Sequence, residues 1–197
     1  MKLALLALTI ALAAPSFTAA QSSSEKPTQQ SAALSQTAPD PFAGVPAPKP
    51  DDVKSIDAIM GAVYDVISGP PGERDWTRFR SLFLSTARLT AATKDKDGTV
   101  RLRPMSADDY AARAGGYFLK NGFFERPIVN RVQTFGNIAQ VFSSYESRNA
   151  PNEKPFARGV NSIQAFNDGS RWWVISILWD EETPSNPLPP DLATPAK

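Results

Sequence analysis

The 197-residue chain contains neither cysteine nor histidine. Without cysteine there is no disulfide bond, thiolate metal site, cysteine nucleophile or lipid-modified cysteine anchor. Without histidine, a Ser-His-Asp triad, a histidine-ligated zinc and the commonest general base are also excluded. Acid–base chemistry would have to come from Asp, Glu, Tyr or Lys side chains or from a bound cofactor. We predict no cofactor and no metal.

The chain also lacks long blocks of one charge. Lys and Arg number 21 and Asp and Glu number 20, which leaves a formal net charge of +1. Nucleic acids and anionic lipids attract concentrated positive charge, and none is present here. We therefore expect neither as the main partner.

The first twenty residues have the three parts of an export signal. Lys2 supplies the positive charge, residues 3–14 form an apolar run, and the small residues Thr18 and Ala20 precede a cleavage site. The apolar run is shorter than the roughly 20 residues that span a bilayer. We predict a signal peptide over residues 1–20 that is cleaved near Ala20, an exported (periplasmic or secreted) mature protein, and no membrane-spanning segment.

Composition divides the remaining chain into three parts. Residues 21–51 are rich in Pro, Ser and Gln, and such a segment buries too little apolar surface to offset its ordering entropy, so we predict a disordered linker. A globular domain is predicted over residues 52–182. Residues 183–197 form a Pro-rich C-terminal tail, which we expect to be extended and docked as far as about Leu192.

Three segments of the domain carry helix signals. Apolar residues at three- and four-residue spacing follow Ser55 and stop before Gly69, which predicts a helix between them. Asp75 can cap a second, short helix. Ser106 can begin a third, because Asp109 three residues later completes a capping-box pattern.

Strands and tight turns dominate the rest of the domain. Three turn sequences predict three hairpins: Asp97-Gly98, Gly136-Asn137 and residues 167–170. The order helix, helix, hairpin, helix, hairpin, hairpin predicts an α+β fold in which three helices cover one face of a curved antiparallel sheet. Such a sheet forms a cone with an open mouth.

Several segments resemble the nuclear transport factor 2-like (SnoaL-like) superfamily over about residues 53–182. The resemblance rests on the order of the elements, on the segment DWTRFRSLF before the first hairpin, and on the closing strand DGSRWWVISILW. The succession FGNIAQVFSSYES, RGVNSIQAF and RWWVISILWDEETPSNPLP is most similar to an uncharacterised exported bacterial branch. The resemblance implies a cystatin-like cone and frequent dimers through the sheet face. It implies no single activity, because the superfamily includes ketosteroid isomerase, polyketide cyclases and non-enzymatic binders.

The last predicted strand is apolar on both of its faces. Trp173 and Ile177 lie on one face, and Val174 and Leu178 lie on the other. A sheet with one solvated face would show polar alternation, so we predict that this strand is buried on both sides. The helices would cover one side, and a second subunit or the C-terminal tail would cover the other, with a homodimer favoured.

Candidate ligand-binding residues are the aromatic and polar side chains that the cone could gather at its mouth. They are Tyr64, Trp76, Tyr110, Tyr117, Phe123, Arg158, Asn161 and Trp179. Each also has an ordinary structural role open to it, since aromatics in a helix stripe are mostly core residues and an arginine at a strand start is commonly a surface residue. Tyr64 lies on the first helix, as does the donor tyrosine of the isomerase in the resemblance. No catalytic carboxylate is assigned, and residues 180–182 are predicted to be a solvated strand end.

Three functions remain open from the sequence. The first is a ligand-binding or accessory protein whose apolar pocket holds a small hydrophobic molecule, without enzymatic activity. The second is a cofactor-free lyase, isomerase or cyclase that uses a cavity carboxylate with a tyrosine. The third is a structural or interaction module whose cone is filled by its own side chains. The content of the cone distinguishes among them.

Overall fold

The computed structural model describes residues 40–194, so the predicted signal peptide and residues 21–39 of the predicted linker lie outside the described residues. The described chain contains five helices and six strands. They are α1 (Pro50–Val53), α2 (Ile56–Ile67), α3 (Trp76–Ser81), β1 (Phe83–Lys94), β2 (Val100–Met105), α4 (Ala107–Phe118), β3 (Phe124–Phe135), β4 (Ile138–Arg148), β5 (Ala157–Asn167), β6 (Trp172–Glu181) and α5 (Pro190–Ala193). No helix within this range has the length and apolar character needed to cross a membrane.

The three predicted helices are confirmed as α2, α3 and α4, and each begins at its predicted cap. The Ser55 hydroxyl accepts the N–H of Ala58, and the Asp75 carboxylate accepts the N–H of Arg78. Ser106 and Asp109 form a complete capping box. Each cap satisfies a backbone N–H that has no partner within its helix. Local sequence therefore fixes where these helices start.

The six strands form one curved, open sheet in the order β2-β1-β6-β5-β4-β3. All three predicted hairpins are confirmed, joining β1 to β2, β3 to β4 and β5 to β6. Each turn contains a glycine with a positive φ angle: Gly98 at 86°, Gly136 at 53° and Gly169 at 96°. Glycine adopts this backbone conformation without the steric cost that a β-carbon brings.

One strand pair differs from the antiparallel sheet that the sequence predicts. β1 runs parallel to β6, with Leu89 beside Ile177, while every other neighbouring pair is antiparallel. Tight turns join only antiparallel strands, and parallel neighbours need a long crossover. Residues 95–171, which include α4 and four strands, supply that crossover. The α+β fold class is confirmed.

The hydrophobic core lies between the concave face of the sheet and the helices. α2 contributes one apolar side of the core, and the sheet contributes the other. The completely or almost completely buried side chains are Ile59, Met60, Phe79, Leu82, Phe83, Val141, Ile163 and Val174. Burying such side chains is the main stabilising contribution to a domain that has no disulfide.

The folded part of the chain begins before residue 52, the predicted start of the domain. The Ser85 N–H donates to the Pro41 carbonyl at 2.8 Å, and the Phe42 ring meets the edge of Trp173 at a centroid distance of 5.1 Å. Val45 also packs against the core. The predicted boundary between linker and domain at residue 52 therefore lies too far along the chain. The Pro-rich composition of the segment gives no sign that Phe42 and Val45 contact the domain.

The last strand is covered on both sides only in its first half. An extra residue, Ile175, bulges out of the pairing with β5 and changes the alternation of faces, so that Val174 and Ile177 are both buried. Phe42 covers Trp173, whereas Leu178 is 45% exposed. Within the single chain the second half of the strand is covered on one side only, and coverage of Leu178 by a second subunit stays a prediction.

The C-terminal tail packs on the convex face of the sheet. Leu192 is buried, and its carbonyl accepts a hydrogen bond of 2.7 Å from the Ser144 hydroxyl. Asp191 forms an ion pair with Arg131 at 2.5 Å. The expected docking of the tail as far as Leu192 is confirmed, and the tail covers part of β3 and β4.

We expect Leu192→Ala to lower the free energy of unfolding by about 2–3 kcal/mol, since it removes a buried side chain and leaves a gap under the tail. Urea denaturation followed by tryptophan fluorescence measures this change. Leu119→Ala is the control, because Leu119 is 52% exposed and its loss should change stability by no more than about 0.5 kcal/mol. Equal effects of the two substitutions would contradict the docking of the tail.

Candidate functional site

A cavity of about 180 Å³ lies between the helices and the open end of the concave sheet face. Its walls are mainly aromatic, and its polar lining comes from two glutamates, a serine and an amide. The aromatic side chains are Phe79, Phe83, Tyr110, Phe123, Tyr145, Phe156 and Trp179. The polar side chains are Glu125, Ser147, Asn161 and Glu181. Most of this surface favours apolar groups, with a few places for a polar one.

The end of α2 holds the backbone of Glu125 in place. The Glu125 N–H donates to the Ser68 hydroxyl at 2.9 Å, and that hydroxyl reaches the Glu125 carbonyl at 3.1 Å. Next to it, Gly69 and Phe123 exchange two backbone hydrogen bonds of 2.7 and 3.0 Å. The Arg74 guanidinium donates to the Gly69 carbonyl at 2.9 Å, which fixes the turn after the helix. These hydrogen bonds therefore fix the position of the Glu125 backbone, from which the carboxylate extends.

The Glu125 carboxyl group has an unusual environment. It is half-buried, since it faces the cavity but is surrounded by protein on its other sides. Burial raises its pKa to about 7, and the charge of Glu181 raises it further, against the lowering effect of hydrogen bonds from Ser147 and Asn161. The Ser147 hydroxyl donates at 2.8 Å. Among residues 40–194, no Lys or Arg forms an ion pair with Glu125.

Two neutral phenols share the cavity with this carboxyl group. Burial raises the pKa of Tyr110 and of Tyr145 well above the ordinary value, and the charge of Glu125 adds to both shifts. Tyr145 has room for its ring because Gly159 lies opposite on β5. A β-carbon at Gly159 would lie 2.7 Å from the Tyr145 hydroxyl oxygen and 2.3 Å from the Asp180 carbonyl oxygen. Both phenols remain protonated and can donate hydrogen bonds at neutral pH.

A chain of hydrogen bonds orients the amide of Asn161. Its Nδ2 donates to the Tyr64 hydroxyl at 3.1 Å, and Tyr64 is 2.5 Å from the Ser143 hydroxyl. Ser143 in turn donates to Asn130 Oδ1 at 2.6 Å. Since the Ser143 proton is used there, Tyr64 donates to Ser143 and accepts from Asn161. Each group therefore donates its hydrogen bond in one fixed direction along this chain, which holds the Asn161 amide against the cavity.

Five of the eight residues predicted to bind a ligand are at or next to this cavity. Tyr110, Phe123, Asn161 and Trp179 line it, as the mouth of a cone would require. Tyr64 lies one layer behind, where its buried hydroxyl supports Asn161.

The other three predicted residues lie elsewhere. Trp76 stacks on Phe118 at a centroid distance of 6.1 Å and holds α3 against α4. Tyr117 is 44% exposed on α4 and faces a neighbouring surface groove. Arg158 pairs with Glu182 at 3.3 Å. Trp76 and Arg158 thus have the ordinary structural roles that the sequence left open for them, whereas Tyr117 is neither a core residue nor part of this cavity.

Four lining residues with polar or ionisable side chains were not among the predicted site residues: Glu125, Tyr145, Ser147 and Glu181. Glu181 is exposed at the strand end, as the sequence predicts, but alternation from Ile177 also places it on the face of the cavity. Counting alternate residues along the strand was the sequence signal that could have placed Glu181 in the cavity. Glu125 carried no such signal, because it lies at the start of β3 and the neighbours of that strand become known only from long-range pairing.

Comparisons with known proteins agree with this architecture at the level of the fold. No protein-family model and no curated protein matches the sequence. A protein of unknown function with a cystatin-like fold from Nostoc punctiforme is similar, with a TM-score of 0.51 and 12% identity over 68% of this chain and 92% of that one. A candidate ketosteroid isomerase from Parabacteroides distasonis gives 0.47 and 15% identity over 67% and 92%. An NTF2-like protein of unknown function from Silicibacter pomeroyi gives 0.46 and 13% over 66% and 94%.

The Nostoc punctiforme protein has a cystatin-like fold, which confirms the cystatin-like fold that the sequence resemblance implied. At these identities the likeness shows the fold alone. Within residues 40–194, no group of three or more acidic side chains is placed to hold a metal ion.

We expect the stability of the protein to fall between pH 4 and pH 8 because of Glu125. Its folded-state pKa of about 7 is above the ordinary value of 4.5, so the folded state binds this proton more tightly than the unfolded chain does. The contribution of Glu125 to the free energy of unfolding is fully present below pH 4.5 and is lost as the pH rises through about 7. At about 1.4 kcal/mol per pKa unit, the difference between 4.5 and about 7 gives a loss of at most about 3.5 kcal/mol.

Urea denaturation of the unmodified protein and of Glu125→Gln at pH 4, 6 and 8 measures this loss. The glutamine variant should lack this part of the pH dependence, and the exposed Glu153→Gln should keep it. A carboxyl resonance of Glu125 that titrates near 4.5 in NMR spectra would contradict the assignment.

Proposed function

We propose that this protein binds a small, mainly apolar ligand in the cavity, with the ligand's polar group directed at Glu125. One observation supports this most strongly: an aromatic cavity that the protein's own side chains leave unfilled contains a carboxyl group without an ionic partner among the described residues. A burial that raises the pKa of a carboxyl group opposes folding, so it is typical of a functional site. The open cavity also counts against the alternative of a purely structural cone.

The size of the cavity limits the ligand. At about 180 Å³ it is smaller than the ~300 Å³ at which pockets for drug-sized molecules begin, and it is close to the ~150 Å³ that accommodates benzene. We infer a ligand of one or two rings or an equivalent short chain. A four-ring steroid would extend far beyond the walls, so the activity suggested for the Parabacteroides protein is not carried over.

Cofactor-free proton transfer is a second candidate, favoured by the pKa of about 7 at Glu125. A carboxylate of this basicity can remove a proton from a carbon next to a carbonyl group. Tyr110 and Tyr145 line the same cavity and can donate to the oxygen that becomes negative. Many isomerases and lyases begin with such a step.

We further propose that the protein is exported after cleavage near Ala20 and that it forms a homodimer through the convex sheet face. The sequence of residues 1–20 supports the first point. The second is supported by Phe142 and Leu178, which are 42% and 45% exposed on that face beside the docked tail. The mass of the mature chain from its native source checks the cleavage, and an intact N-terminus would contradict it. Light scattering checks the dimer, and a monomer would contradict it.

Filling the cavity should abolish ligand binding without affecting the polar groups. Ala157 lines the cavity, so Ala157→Leu should weaken the binding of 2-naphthol, a neutral two-ring probe, by at least about tenfold. Fluorescence titration measures the affinity, and Ala112→Leu on the exposed side of α4 is the matched control. If 2-naphthol binds Ala157→Leu as tightly as it binds the unmodified protein, this cavity is not the ligand site.

Proton transfer can be tested with 2-indanone, a small bicyclic ketone, in deuterated water. The unmodified protein should accelerate exchange of the hydrogens next to the carbonyl, and Glu125→Gln should reduce that acceleration by about a hundredfold. Proton NMR follows the exchange, with Glu153→Gln as the control. No acceleration over buffer would exclude the second candidate and leave the binding proposal intact.

A further inference from the structure

The charged side chains that line the cavity are all acidic. Glu125 lies on its wall and Glu181 at its mouth, and no Lys or Arg is among its lining residues in the described part of the chain. An anionic ligand would meet the Glu125 carboxylate in partly buried surroundings, where repulsion between like charges is strong, and would pass the exposed Glu181 at the mouth. The cavity therefore selects against carboxylates and phosphates.

The alternation of faces along the strands separates basic from acidic side chains. Arg126 and Arg148 both pair with Glu146, at 2.6 and 2.7 Å, on the convex face. Arg158 pairs with Glu182. The arginines closest to Glu125 along the chain and in the sheet are thus held on the opposite side. No Lys or Arg among residues 40–194 forms an ion pair with Glu125 or Glu181, which leaves that role to a ligand.

The aromatic walls add a second attraction for positive charge. The faces of aromatic rings attract cations, most strongly where water is excluded. In the described residues, the two cation–π pairs lie outside the cavity, at Arg74 over Phe118 and at Arg171 over Trp173. The rings of Phe123, Tyr145 and Trp179 therefore remain available to a ligand.

We propose that the cavity binds a small hydrophobic amine in its cationic form. The ammonium group is held by the Glu125 carboxylate, and the apolar part lies against the aromatic walls. Glu181 at the mouth adds a longer-range attraction that draws a cation inward. This inference depends on the proposed function, because it names the chemical class of the ligand for the same cavity.

The affinity of such a ligand depends on pH through Glu125. The titratable groups that face Glu125 are Tyr64 from α2, Tyr110 from α4, Tyr145 from β4 and Glu181 from β6. The three phenols stay neutral between pH 5 and pH 8, so the change in affinity in this range is assigned to Glu125. Protonation of Glu125 at pH 5 removes the charge that holds the ammonium group.

Three one-ring probes of similar shape test the inference: benzylamine, benzyl alcohol and benzoate. At pH 8 we expect benzylamine to bind at least about tenfold more tightly than benzyl alcohol, with benzoate weakest. Isothermal titration calorimetry and ligand-observed NMR measure the affinities. At pH 5 the advantage of benzylamine should shrink to about threefold or less.

Two variants assign the effect to the carboxylate. Glu125→Gln should remove the advantage of benzylamine at pH 8 while benzyl alcohol keeps its affinity within about threefold. Glu153→Gln, on an exposed turn, should leave all three affinities unchanged. Denaturation of Glu125→Gln at pH 8 checks that the variant is folded.

Every outcome decides between the proposals. If benzylamine and benzyl alcohol bind equally, or if benzoate binds best, the inference about amines is overturned and the proposed binding function stands. If none of the three probes binds, both proposals fail. If Glu125→Gln is folded and keeps the preference for benzylamine, another group selects the cation and the role of Glu125 is overturned.

Discussion

The burial of one sheet face against three helices holds this domain together and also creates its cavity. The helices cover the concave face at the end where Val141, Ile163 and Val174 lie, and those side chains are completely buried. At the other end the strands continue beyond the helices, which leaves the cavity beside Glu125 and Glu181. The core and the candidate site are thus two ends of the same surface. Stability at one end allows the other to keep a carboxyl group in surroundings that do not favour its charge.

The polar groups near Glu125 resemble a preorganised binding site more than an ion-pair network. Ser147 donates to the carboxylate, Ser68 fixes its backbone, and the amide of Asn161 is oriented through Tyr64. Among the described residues, each buried polar side-chain atom has a hydrogen-bond partner. Neutral donors lower the cost of burying a carboxylate without cancelling its charge. The site can therefore present a negative charge, or a proton, to a molecule in the cavity.

Local signals predicted most of the fold, and long-range pairing decided what they missed. Ser55, Asp75 and Ser106 fix three helix starts through contacts within one turn, so the sequence alone sufficed for α2, α3 and α4. It did not predict the two four-residue helices α1 and α5, and α5 lies in the tail that was expected to be extended. The faces of the strands were less predictable, because the bulge at Ile175 shifts the alternation and has no counterpart in the hydrophobic pattern. Glu125 could not be placed, since its position depends on Ser68 and Ser147, which are distant in the chain. The aromatic lining was recognised in part, as Tyr110, Phe123 and Trp179 show.

The parallel contact between β1 and β6 has a consequence for how the chain reaches its native state. β1 is among the first strands to leave the ribosome, yet the strand that completes its pairing is the last. Until β6 is available, the β1–β2 hairpin has an open inner edge and α2 lacks much of the surface on which it packs. Closing so long a loop has a high entropic cost, and proteins with many contacts of this kind fold slowly. The domain therefore becomes stable only when nearly the whole chain has been made, so a nascent chain that lacks β6 remains an unfolded substrate for chaperones and proteases.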